Sequence, residues 1–279
     1  MEEPRKVFGF TRDDLLKEDP VVLRTILRER THHTIEVFIY RICAGKMPVP
    51  PNFGETVEFL LDIWKERGLP LDSPDVKWAQ EFLAYAKTLR AGGTVKFNTE
   101  LPEPFTDEEM KTVKKLLYGR RSIRQFAARE VPDELIRRVL EAGLMAPQGC
   151  NVGATRFIVL KNPEDWKMVQ SDIPLDHGVM IIVCQDMRVY HSVGFEKVFP
   201  QNIYYDAATV ADHMLLMAHA LGLGGVWLTH GDETRRRVRE RFGLPETFVS
   251  RCHIHIGWPA EAPVKTSRPT LQESIVKWI

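Results

Sequence analysis

Three guanidinium groups lie within five residues, Arg120-Arg121-Ser122-Ile123-Arg124, around one hydroxyl. A guanidinium stays charged at any working pH and meets phosphate oxygens as a bidentate fork. The cluster follows a segment expected to be helical up to Gly119, and a cation cluster at such a junction suits a phosphate clamp. A solvated basic run has the same composition, so the cluster alone selects nothing. Other groups with metal or redox potential are sparse. His253 and His255 alternate with Cys252, Ile254 and Ile256 and therefore share one face of a strand, but no acidic or cysteine partner stands at ligand spacing. A structural or subunit-contacting role is the expectation for them, and a surface role for His32-His33. Cys43, Cys150, Cys184 and Cys252 are scattered and form no C-x-x-C pair, which excludes the common zinc and iron–sulfur patterns.

The elements that must position these residues divide at about residue 100. In the first part, 13–44, 54–67 and 73–90 read as helices, with Leu15, Leu16, Val22, Leu23, Ile26 and Leu27 on one stripe. Pro48-Val49-Pro50-Pro51 and Gly68-Leu69-Pro70 interrupt them. Ala91-Gly92-Gly93-Thr94 and the Pro-containing stretch to Phe105 read as a linker, so residues 1–100 are expected to form a helical N-terminal region and 101–279 a second domain.

Thr106-Asp107-Glu108-Glu109 is a capping-box start for a helix ending at Gly119. Pro132-Asp133-Glu134 opens the next helix, with Leu135, Ile136, Val139 and Leu140 inward. The runs 155–160, 179–184, 226–229 and 248–257 read as strands; 203–221 reads as a long apolar helix and 232–242 as a charged surface helix. Alternating helices and strands make this part α/β or α+β.

The totals describe an ordinary folded protein of 279 residues, with 38 basic against 38 acidic residues and 44% hydrophobic. Nothing in that balance asks for nucleic acid or an anionic membrane. Met1-Glu2-Glu3-Pro4-Arg5-Lys6 does not read as a signal peptide, and the apolar stretch from Ala207 to Leu228 carries Asp212, His213 and His219. The expectation is a reduced, cytoplasmic protein.

Four segments in order resemble the FMN-dependent nitroreductase family. Arg120-Arg121-Ser122-Ile123-Arg124-Gln125-Phe126 is similar to its opening motif. Ala146-Pro147-Gln148-Gly149-Cys150-Asn151, followed by Arg156-Phe157-Ile158-Val159, is similar to its Pro-Ser-x-x-Asn turn and the strand behind it. Asp206-Ala207-Ala208, leading to Ala220-Leu221-Gly222-Leu223-Gly224-Gly225-Val226-Trp227, resembles its central helix and Gly-rich turn. Ile256-Gly257-Trp258-Pro259-Ala260-Glu261, with Lys265 and Arg268-Pro269, resembles its terminal strand and last arginine. The resemblance covers about Thr106 to Ile279. It departs at Gln148, where the family has serine, and at Val152-Gly153-Ala154-Thr155, where the family continues toward Gln-Pro-Trp.

The resemblance implies an α+β three-layer sandwich, a mixed central sheet between helices, preceded here by the helical extension. It also implies FMN at the interface of a homodimer. Arg120 and Arg268 would hold the phosphate, with Arg121 beside them; Ser122 would donate to the phosphate or ribityl chain. Arg124 would stand at the N1/O2 edge, where a cation stabilises the anionic reduced ring. Pro147, Gln148 and Asn151 would face the ring, and Asn151 can offer it a donor and an acceptor. Gly224 and Gly225 would let backbone N–H groups approach N5, with the backbone from Trp227 to Thr229 a weaker candidate. Each also has a plain reading: a turn residue for Asn151, and a helix cap with a tight strand entry for the glycines. The segment 186–202, carrying Arg188, Tyr190, His191, Phe195 and Phe199, is expected either to cover the ring or to pack as an ordinary loop.

The implied activity is hydride transfer from NADH or NADPH through flavin N5 to a small acceptor: a nitroaromatic, quinone, enone or halophenol. The flavin carries that chemistry, so no side chain is assigned as catalytic acid or base. No GxGxxG follows an expected strand, and a protein electron donor stays open. Alternatives are a relative that consumes FMN or dehalogenates with another donor, and a non-catalytic flavin-binding or regulatory protein.

Overall fold

The computed structural model describes residues 5–97, 100–169 and 175–279; Met1–Pro4 of the N-terminal reading and Asn98-Thr99 of the expected linker lie outside them. The N-terminal helices are α1 (Arg12–Lys17), α2 (Pro20–Thr31), a π-helical turn (His32–Glu36), α3 (Val37–Cys43), α4 (Glu55–Glu66) and α5 (Pro74–Arg90). The single helix expected over 13–44 is instead broken before Pro20. Pro20 disfavours helical backbone at Asp19 and takes the first turn of α2, where its missing N–H has no use. Asp19 then caps α2, accepting from Val21 N at 2.8 Å. The expected stripe is real: Leu15, Leu23, Ile26 and Leu27 are buried against Leu60, Leu61 and Trp64 of α4 and Val76, Ala79 and Phe82 of α5. This core is distinct from those around the sheet.

From residue 107 the chain runs α6 (Asp107–Gly119), α7 (Asp133–Leu144), a 3₁₀ turn (Gly149–Asn151), β1 (Thr155–Leu160), α8 (Pro163–Val169) and β2 (Val179–Asp186). It continues with α9 (Met187–Ser192), α10 (Phe195–Val198), α11 (Asn202–Ala220), β3 (Gly224–Thr229), α12 (Asp232–Phe242), β4 (Phe248–Gly257) and α13 (Leu271–Ser274). The capping box of α6 is present, with Glu109 N donating to Thr106 Oγ1 and the Glu109 carboxylate accepting from Thr106 N.

The sheet order is β1-β2-β4-β3, antiparallel at every pairing. Among the described residues, parallel pairing enters only at one bridge, Ser122 to Gly225. Period-2 alternation sorts the strands into two apolar layers. Val179, Ile181 and Val183 of β2 and Cys252, Ile254 and Ile256 of β4 face Val139 of α7 and Val210, Ala211 and Met214 of α11. Met180, Ile182 and Cys184 face Trp166 of α8 and Val238 of α12. The outcome is the expected α+β sandwich, helices over both faces of one sheet, but that sheet is antiparallel rather than mixed. Gly143 permits the close approach of α7 to α11, since a Cβ there would come within 2.7 Å of Met214 Cγ.

Candidate functional site

The arginine segment is laid along the edge of the sheet. Arg120 (φ −59°, ψ 135°) ends α6 and turns the chain into an extended course. Ile123 N donates to Gly225 O at 3.0 Å, Ala127 N to Trp258 O at 2.8 Å, and Ala260 N to Gln125 O at 2.9 Å. The Glu261 carboxylate accepts from the backbone N–H groups of Arg124 and Gln125. Three of the four sequence segments therefore meet here: 120–127, 222–225 and 257–263.

Between them is a cavity of about 610 Å³, within the usual range for small-molecule sites. Its walls include Lys115, Arg120, Arg121, His219 and Glu261, the Gly222–Gly225 stretch, and apolar Leu116, Ile123 and Leu215. The Arg121 guanidinium donates to the Pro263 carbonyl. The side chains of Arg120 and Lys115 have no hydrogen bond or ion pair among the described residues, and Glu261 is already engaged by two backbone donors. The cavity thus presents unpaired positive charge beside apolar surface.

The glycines line the cavity and also serve packing. A Cβ at Gly224 would lie 2.6 Å from Ile123 Cβ, and one at Gly225 would lie 2.7 Å from Leu215 Cδ2. They let the arginine segment and α11 close on β3, which is the tight strand entry read from sequence. Gly222, at φ +80°, takes the left-handed turn after α11. Thr229 lies exposed at the far end of β3. Ser122 is half-buried at its bridge, and Arg124 is exposed. Arg268, in the exposed tail, bonds only its neighbour's carbonyl, Ser267 O. None of these last four lines the cavity.

The second segment stands elsewhere. Cys150 (φ 53°) and Asn151 (φ 52°) take left-handed backbone in the turn after Pro147. Gln148 Nε2 donates to Thr155 Oγ1 at 3.2 Å, and the Pro147 carbonyl accepts from Thr209 Oγ1 at 3.2 Å. Gly149 N donates to Asp206 Oδ1 at 2.8 Å. Asp206 also accepts from Tyr190 Oη at 2.8 Å, Tyr190 from Gln185 Nε2 at 2.9 Å, and Gln185 Oε1 from Arg251 Nε at 2.7 Å. Burial raises the Asp206 carboxyl above its ordinary range and pushes the Tyr190 phenol up. This supporting network escaped the sequence reading, although an aspartate inside the apolar helix α11 was its visible trace.

Gln148 and Asn151 line a different cavity, of about 710 Å³, shared with Arg156 and with Arg24, Arg28 and Asp75 of the N-terminal helices. One protomer therefore does not assemble all the sequence-selected residues into one site. The segment 186–202 is no open loop either. It forms α9 and α10, with Tyr190 and Phe195 buried and stacked, because its apolar faces pack beneath the turn and α2.

His253 and His255 do share the sheet face opposite Ile254, buried with His230. His230 Nε2 and His253 Nδ1 are 2.8 Å apart, and His255 Nε2 meets the His177 carbonyl at 2.8 Å. Burial pushes His230, His253 and His255 down to about 4, 3 and 4. Among the described residues no group of three or more ligating side chains could hold a metal. His32 and His33 sit in the π-helical turn and pair with Glu36 and Glu29, rather than standing free on the surface. The four cysteines are free, and burial pushes the Cys150 thiol up to about 11. No described helix is long and apolar enough to cross a membrane.

A model of the nitroreductase family matches residues 117–167 and 164–258. The chain belongs to the nitroreductase family. A relative in Methanothermobacter thermautotrophicus, provisionally named an NADH dehydrogenase/NAD(P)H nitroreductase, is 35% identical over 151 residues, 52% of this chain and 75% of its own. A similarly named relative in Archaeoglobus fulgidus is 29% identical over 160 residues, 54% of this chain and 88% of its own. The crystal structure of a protein from Clostridium acetobutylicum, provisionally titled an NADH oxidase, aligns at TM-score 0.52 and 26% identity over 58% of this chain and 99% of that one. The family match begins at Leu117, and the helices of the first hundred residues lie outside it.

Proposed function

We propose that this nitroreductase-family protein is an FMN-dependent oxidoreductase that uses NADH or NADPH to reduce a small organic acceptor. The observation that carries the reading is the cavity of about 610 Å³ with Arg120 and Lys115 unpaired on its wall. That donor set fits FMN: a dianionic phosphate needs fixed cations, and the ring needs apolar surface such as Ile123 and Leu215. FMN, when bound, supplies the hydride relay between nicotinamide and acceptor. The chain's own part is to bind and orient. Arg120 and Lys115 would hold the phosphate, and Glu261 ties down the backbone at Arg124 and Gln125 so that the cations stay in place. The relatives' names, an NADH dehydrogenase/NAD(P)H nitroreductase and an NADPH-dependent oxidoreductase, support the nicotinamide donor.

The same reading makes the protein a homodimer with FMN between subunits. The Pro147–Asn151 turn and Arg268 do not reach the arginine cavity within one protomer, and a second copy can supply what is missing. Apolar surface for it is plentiful: α6 buries no residue, Leu117 and Tyr118 are exposed, and the tail presents Leu271, Val276 and Trp278 to solvent. Burying such surface is the main drive to association. The four free thiols support a reduced, cytoplasmic setting.

The test is a visible spectrum of FMN-supplemented protein before and after anaerobic NADH or NADPH. A bound flavin spectrum that bleaches supports the proposal. Bound flavin that stays oxidised overturns the nicotinamide step and moves the reading to a protein donor or a non-catalytic flavoprotein. Absence of flavin binding overturns the reading altogether.

A further inference from the structure

Arg28 of α2 reaches out of the N-terminal helices and grips the turn. Its Nε donates to the Asn151 carbonyl and its Nη2 to Asn151 Oδ1, both at 3.0 Å. The side chain is 26% exposed, and its Nη1 stands 3.9 Å from Asp75 Oδ2. Asp75, at the start of α5, is itself held by two bonds from Arg24. Gly153 makes room for the guanidinium: a Cβ there would fall 2.6 Å from Arg28 Nη1. The chain positions are 123 residues apart, and the contact joins the N-terminal helices to the nitroreductase core.

Two consequences follow from the chemistry. Left-handed backbone at two successive non-glycine residues, Cys150 and Asn151, is unfavourable unless the surroundings hold it. Arg28 supplies that restraint through the Asn151 carbonyl. It also bonds the carboxamide oxygen, which turns that oxygen toward α2 and leaves both N–H donors of the NH₂ group without a partner on Arg28.

We propose that Arg28 is a positioning residue for the flavin site: it holds the Pro147–Asn151 turn and orients the Asn151 carboxamide so that its NH₂ group, not its oxygen, meets an acceptor atom of the flavin. This rests on the FMN reading above. The N-terminal helices are then a built-in template for the turn, and the departure from the family pattern at Gly153 is the space that template requires.

The experiment compares full-length wild type with Arg28→Ala, Arg28→Lys and Leu60→Ala. It measures FMN dissociation by fluorescence, the visible spectrum of bound flavin, and the thermal midpoint. Arg28→Ala should weaken FMN about tenfold and shift the flavin absorption bands, from loss of one charge-assisted restraint. Arg28→Lys should recover part of the affinity, since an ammonium can reach one of the two acceptors. Leu60→Ala cuts the N-terminal core without touching Asn151. It should lower the midpoint while leaving the spectrum and the FMN affinity of the folded protein unchanged. If Arg28→Ala fails to fold, Arg28→Lys carries the test, and wild-type FMN affinity and spectrum in it would overturn the proposal. So would Arg28→Ala that folds and binds FMN as wild type does, with the FMN reading itself intact. Wild type without FMN binding removes both.

Discussion

Gly224→Ala tests whether the phosphate clamp is placed by packing. The new Cβ would stand 2.6 Å from both Cβ and Cγ1 of Ile123 and 2.8 Å from its Cγ2, where carbon pairs prefer about 3.5–4.0 Å. Ile123 cannot step aside easily: it is β-branched, buried, and tied by its N–H to Gly225 O at 3.0 Å. The arginine segment would have to retreat from β3 by about 1 Å, at an overpacking cost of about 1–3 kcal/mol. Ile123→Ala alone should cost about 2–5 kcal/mol through the space it leaves. In the double variant that change removes two of the three clashing atoms, so the losses should fall short of their sum by about 1 kcal/mol. Denaturant unfolding of the four proteins measures the cycle, and FMN titration of each reports the clamp. Gly224→Ala should weaken FMN, with part of the loss recovered in the double variant. Additive stabilities, or Gly224→Ala with wild-type stability, would refute the reasoning.

The remaining predictions concern charge and assembly. Arg120→Ala should weaken FMN tenfold to a hundredfold, since a charge-assisted bond is worth about 1.5–3 kcal/mol; unchanged affinity by titration would remove Arg120 from the site. His230, His253 and His255, pushed from 6.5 to about 4, 3 and 4, stay neutral in the fold while the unfolded chain takes up protons below pH 6.5. Stability is therefore full above pH 6.5 and lost as pH falls toward 4, by about 2 kcal/mol for each histidine at pH 5. Urea unfolding across pH 7.5 to 5 measures this, and a flat profile would contradict it. Leu117→Glu places a charge on the exposed face of α6. It should shift the protein toward monomer in sedimentation and lower FMN occupancy together; an unaltered dimer would take α6 out of the interface.

Much of the fold was legible because its signals are local. The capping box at Thr106 and Glu109, the β-branched runs of the four strands and the apolar period of α11 each depend on residues a few places apart, and each became the element expected. Pro20 carried an equally local signal, and the break before it departs from the helix read through it. The alternation of His253 and His255 against Ile254 was likewise correct. The order of the four motifs was enough for the family, since a family is marked by its sequence pattern.

What the sequence by itself determined, then, is the four strands and the longer helices of the second part, the nitroreductase family and the cation cluster at Arg120–Arg124. Tertiary structure decided which of the selected residues share a cavity: Arg120, Arg121, Gly224 and Gly225 in one, Gln148 and Asn151 in another. It also decided that Gly224 serves packing against Ile123, that Asp206 anchors the turn through Gly149, and that Arg28 holds Asn151. These are contacts between residues from 57 to 123 positions apart along the chain, the glycine aside. No local period encodes them; they arise only when apolar faces on separate elements are buried together and bring their polar neighbours within hydrogen-bonding reach.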